Sequence, residues 1–156
     1  MNATEIAAWW GAVMATVVFA WDIYKWGTRG ASVELGISSN MESFNYSSAM
    51  SGKTYIFIEA KNLGDAPTTI THLACIHYTT ILSFLRKKQS KSLIIGNPGI
   101  TKLPYVLKPG ELWQGLIEQT TELEDMSRNG LLYSYVYHST SKKPVRRRVI
   151  IENLAG

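Results

Sequence analysis

From Ile6 to Tyr24 the chain reads IAAWWGAVMATVVFAWDIY, nineteen positions with a single residue charged at neutral pH, Asp22. Few folds can house such a stretch. As an α-helix rising about 1.5 Å per residue, it is just long enough to cross a hydrocarbon core of roughly 30 Å. A helix on the surface of a soluble domain carries a polar face, and positions 6–21 offer none. The segment therefore predicts one membrane-spanning helix. Trp9 and Trp10 towards one end, and Trp21, Tyr24 and Trp26 towards the other, suit the aromatic belts that settle at headgroup level. Because these belts stand close together for a full span, a thin bilayer or a tilted, interfacial seating also fits.

The flanking charges give the helix a direction. The leading MNATE contains Glu5 and no Lys or Arg, whereas Lys25 and Arg29 follow the apolar run. A secretory signal peptide begins with a positively charged region, which this stretch lacks. The positive-inside rule then places the short N-terminal tail outside and the remainder in the cytoplasm, at an inner or plasma membrane. The lone Cys75 excludes an intramolecular disulfide and suits a reducing compartment. An uncleaved anchor displaying its domain outside is the competing arrangement. Small residues recur every fourth position at Ala7, Gly11 and Ala15, a face that lets helix backbones approach in lipid. Membrane lipid is thus one expected partner, and a second copy or another membrane subunit is another.

Residues 1–30 are assigned to the anchor and its juxtamembrane linker, and 31–156 to one domain. Over its whole length the chain is 46% hydrophobic and 18% charged with a mean hydropathy of -0.04, the balance of an ordinary globular protein, so its apolar excess is local to the N-terminal run. In the domain the apolar pattern has period two. In SVELGIS, Val33, Leu35 and Ile37 share one face; in TYIFIEAKN, Ile56, Ile58 and Ala60 do. Residues 39–52 lack alternation and read as a long loop or irregular edge. NLGDAP is a turn, for which Gly64 supplies a residue tolerant of positive φ and Asp65 a local hydrogen-bonding group. TTITHLACIHYTT is a further strand, and ILSFLRKK continues it or pairs with it. Short extended pieces around LII and Tyr105–Val106 are separated by the turn GNPG, leaving open whether 81–107 holds two strands or an extended loop. KPGE then turns into a strand over Leu112–Glu118, with Trp113 as its core anchor. Thr121 and Glu124 match a capping box for one short helix over Glu122–Arg128. LLYSYVYHS and VRRRVIIEN complete the domain as an antiparallel hairpin joined by TSKKP.

The expected fold is all-β: an antiparallel sandwich of about seven or eight strands with one short helix, preceded by the transmembrane helix. The strand ending in KNLGDAPTTI and the turn LKPGE leading into an apolar strand resemble immunoglobulin-like or fibronectin-type sandwiches over roughly residues 32–152. The paired cysteines of antibody domains are missing. The resemblance implies a binding or scaffolding module.

Chemistry-bearing motifs are sparse. On a regular strand His72 and His77 face opposite sides, so without a bulge they do not share a metal ion. No Gly-x-Ser-x-Gly elbow or Gly-rich phosphate loop occurs. Catalytic, metal and cofactor residues are accordingly not assigned. Charge is more informative. Beyond Gly30 there are 14 Lys and Arg, nine of them in two runs: Arg86, Lys87, Lys88 and Lys91, then Lys142, Lys143, Arg146, Arg147 and Arg148. Such runs suit a plain solvated face, the anionic leaflet beside the anchor, or nucleic acid or an acidic protein, with Tyr133, Tyr135 and Tyr137 available for stacking. The expectation is a single-pass, membrane-anchored, non-catalytic interaction module at the cytoplasmic face. A membrane-acting effector with a self-associating anchor gated by a sensing domain is the first alternative, and an enzyme with a loop-built site the second.

Overall fold

The computed structural model describes residues 2–28, 30–42 and 52–151. It divides into two compact units, Met1–Gly30 and Ala31–Gly156. The first is one helix, α1 (Ala3–Thr28). Glu5 closes its first turn by accepting from the Asn2 backbone N–H at 3.0 Å, half of a capping box. The stretch Ala3–Trp26 is long and apolar enough to cross a membrane, and none of its most apolar window is buried. A signal sequence near an N-terminus meets the same length and composition criteria.

The second unit contains, in chain order, β1 (Val33–Glu42), β2 (Thr54–Asn62), β3 (Thr68–Tyr78), α2 (Ile81–Leu85), β4 (Lys91–Ile95), β5 (Tyr105–Leu107), β6 (Leu112–Glu118), α3 (Thr121–Arg128), β7 (Leu131–His138) and β8 (Val145–Val149). One sheet has the order β1-β2-β6. The other runs β4-β3-β7-β8, with β5 also paired to β3. Every pairing is antiparallel.

The period-two pattern decides what lies between the sheets. Leu35, Ile56, Ile58, Ala60, Trp113 and Ile117 come from the first sheet, and Ile70, Leu73, Cys75, Leu132, Val136 and Val149 from the second. Leu123 and Met126 of α3 close one end of this cluster. Trp113 is 1% exposed, and truncating so large a buried ring costs about 3–5 kcal/mol. Cys75 is fully buried, and burial pushes its thiol up to about 12, so it stays protonated at neutral pH. At one edge the sheets are joined directly: the Arg147 guanidinium of β8 donates to the Leu35 carbonyl of β1.

Four local expectations need correction. ILSFLRKK is not strand. Thr80, just past the end of β3, accepts from the Ser83 backbone N–H at 3.2 Å, which starts α2. The domain therefore has two short helices among its described residues. The capping box at Thr121 does not form either. The N-cap is Thr120, whose side chain makes no cap hydrogen bond, and the Glu124 carboxylate accepts from Gln119 instead. Gly64 is absent from the positive-φ residues, while Gly110 of the KPGE turn has φ +77, as the residue after Pro109 in a type II turn requires. Finally, β1 extends to Glu42 through a register shift between Ser38 and Met41, where Asn40 takes φ +57. The rest of the expected 39–52 loop, residues 43–51, lies outside the described residues.

Candidate functional site

The second sheet is covered over part of its outer face too, and that part is aromatic. Ala74, Ile76 and Tyr78 of β3 and Tyr135 of β7 form a second buried cluster, with Phe84 and Tyr133 packed against it. A solvent-facing sheet surface becomes buried here because α2 folds over it. Phe84 is its plug: the ring stacks on Tyr133 at 4.7 Å and meets Tyr78 edge-on at 5.3 Å. Arg146 of β8 lies 4.5 Å from the centroid of the same ring. Beneath them the Tyr78 and Tyr135 hydroxyls share a hydrogen bond of 2.9 Å. Burial, reinforced by that bond, raises the Tyr78 hydroxyl above the usual phenol range despite the nearby Arg146. Tyr78 is therefore neutral at physiological pH.

The chain leaves α2 through a Schellman motif. Lys87 N–H donates to the Phe84 carbonyl at 3.1 Å and Lys88 N–H to the Ser83 carbonyl at 2.8 Å. Lys87 occupies the left-handed position with φ +55, where glycine is the least strained residue. On the opposite side of the sheet surface, the β7–β8 connection carries Lys143. Between these two segments runs a groove of about 510 Å³. Ile76, Tyr78, Tyr135 and Tyr137 form its floor, and Lys87, Lys143 and Arg146 line its sides. No carboxylate lines it, and none of these three cations takes part in an ion pair among the described residues. An apolar, partly aromatic floor under uncompensated positive charge suits an anionic group attached to an apolar or planar body.

The two basic runs thus meet, though not as whole runs. Arg86, Lys88 and Lys142 are exposed beside the groove without lining it. Lys91 is paired with Glu122. Arg146 and Arg148 lie opposite Tyr135 and Tyr133 in register, whereas Arg147, between them, points the other way. With its head on the Leu35 carbonyl it lines a smaller cleft of about 180 Å³ whose lining also includes Glu34, Glu59 and Lys61. The tyrosines sit on the outer face. His72 stacks on Tyr137 at 4.1 Å, while His77 lies among the inward positions, so the two histidines look in opposite directions. Local pattern does not single out Tyr78 or Phe84. The available signal is the aliphatic trio Ile81, Leu82 and Leu85 directly before Arg86, which reads equally as a strand.

In α1, Trp9, Trp10, Trp21, Tyr24 and Trp26 are 63–79% exposed. Trp21 and Tyr24 rings lie 6.0 Å apart, one turn along the helix. A Cβ added at Gly11 would meet nothing within 4 Å, so the face containing Ala7, Gly11 and Ala15 is open. Lys25 lies in the last turn, and Arg29 falls outside the described residues.

No protein-family model and no curated protein matches the chain. Two solved structures overlap with it. One is a Bordetella pertussis protein given the name ApaA, 10% identical, with a TM-score of 0.42 over 81% of this chain and 98% of that one. The other is a structural-genomics target, 12% identical, with a TM-score of 0.39 over 80% of this chain and 89% of that one. Overlap at this level says nothing about activity.

Proposed function

We propose that the chain is a single-pass membrane protein whose immunoglobulin-like β-sandwich works as a non-catalytic interaction module at the cytoplasmic face. The observation that carries this reading is the exposure of α1. Val13, Met14, Val17, Val18 and Phe19 are each 49–67% exposed. At about 25 cal/mol per Å² of apolar surface, so many large side chains do not remain in water when lipid is available. Lys25 and Arg29 then favour the cytoplasm for everything that follows.

Strand order supports the sandwich assignment. In chain order β1, β2 and β6 take the places of strands A, B and E, and β3, β7 and β8 those of C, F and G; β4 and β5 extend the second sheet beyond C. Anchoring raises the effective concentration of the domain at the membrane, so a weak contact there is productive. Basic side chains near an anionic leaflet each contribute about 1 kcal/mol before screening. The Gly11 face is where a second helix, of the same or another chain, would pack.

Sidedness tests the proposal. In membrane vesicles carrying the full-length protein with a C-terminal tag, protease should remove the tag from inside-out vesicles and spare it in right-side-out ones. The reverse pattern would put the domain outside and end the cytoplasmic reading.

A further inference from the structure

The groove and α2 together have the chemistry of an anionic bilayer surface. Ile81, Leu82 and Leu85 are 69%, 55% and 69% exposed. At about 100° per residue they fall within an arc of about 100°, while Phe84 turns away from it into the aromatic cluster. Three adjacent aliphatic side chains at a helical tip, held by a capped start and a Schellman end, form a rigid apolar point. Arg86, Lys87 and Lys88 follow it without interruption. Behind the tip, Lys87, Lys143 and Arg146 converge on the groove over Tyr78, Tyr135 and Tyr137.

We propose that this face docks on anionic phospholipid, with the α2 tip entering the headgroup–acyl boundary and the groove receiving a phosphate-bearing headgroup. The proposal rests on the anchored reading above and specifies what the anchored domain touches. Nucleic acid would satisfy the cations and leave the aliphatic tip in water; a bilayer satisfies both. The aliphatic tip and the anchor itself therefore favour lipid, while charge complementarity calls for an anion. The conformation of Lys87 bears on the anion. A lysine at the left-handed position that glycine fills with least strain puts a cation, at some conformational expense, on the rim of the groove.

The test uses the full-length chain in lipid nanodiscs, carrying Leu82→Cys labelled with an environment-sensitive fluorophore. Cys75 is buried and protonated, so labelling is confined to position 82. With phosphatidylcholine discs containing phosphatidylserine, the emission should shift to the blue and be quenched by spin-labelled lipid; with phosphatidylcholine alone it should not. The double variant Lys87→Gly/Lys143→Gln should lose the shift while unfolding no more readily than the parent, because glycine relieves the backbone at 87 and Lys143 is exposed. Equal emission in both discs, or a shift that survives the double variant, would overturn the docking while leaving the anchor intact. A response to an oligonucleotide or to polyglutamate in neutral discs, without one to anionic lipid, would overturn it by assigning the face to that polymer. A chain that never enters the disc would remove the anchor and the docking together.

Discussion

Asn62, at the end of β2, organises a whole corner of the domain. Its amide donates to the Ala66 carbonyl at 2.8 Å and the Leu107 carbonyl at 3.1 Å, and accepts from the backbone N–H groups of Gly64 at 3.0 Å and Ser32 at 3.3 Å. The side chain is fully buried, so each lost partner leaves a desolvated group behind. At about 0.5–1.5 kcal/mol for each of the four hydrogen bonds, Asn62→Ala should destabilise the domain by about 2–6 kcal/mol. Asn62→Asp should do no better, since a carboxylate cannot donate to two carbonyls. Chemical unfolding followed by near-ultraviolet circular dichroism measures both; a loss below about 0.5 kcal/mol would contradict the assigned role. The turn itself was legible from its Gly, Asp and Pro. Which residue holds it was not, because Asn62 reads locally as the last residue of a strand and its partners lie as far away as Leu107.

Among the elements, α1 was legible from its unbroken apolar length and most strands from their period of two. Leu112–Glu118 lacks a clean alternation in sequence, and it was the size of Trp113 that marked its inward face, which Ile117 shares. α2 was not legible, since five residues are too few for a helical period to separate from a strand, and ILSFL follows a β-branched run. Only the Thr80 cap and the Schellman turn over Arg86, Lys87 and Lys88 separate the two readings, and a cap is visible once its partner is known. The open face of α1 carries its own expectation. If a second helix packs there, Gly11→Leu should weaken self-association in micelles by about tenfold, the equivalent of about 1–2 kcal/mol of helix–helix contact, whereas Val13→Leu should not. Energy transfer between labelled copies measures it, and equal behaviour of the two variants would reject that face.

At the scale of the molecule, counting charges located the basic runs without showing which members act together. A strand alternates its side chains, so Arg147 had to part from Arg146 and Arg148, and the sheet edge gave it a carbonyl on β1. The meeting of Lys87 with Lys143 and Arg146 depends on α2 lying over β3 and β7, a long-range fact no local window contains. Functionally, the account depends on where α1 resides. The most direct measurement is alkaline carbonate extraction of cells expressing the full-length chain, with the intact mass of the retained protein. An anchored protein will be found uncleaved, α1 included, wholly in the membrane pellet. A soluble product shortened after α1, or an intact chain released into the aqueous fraction, would contradict anchoring.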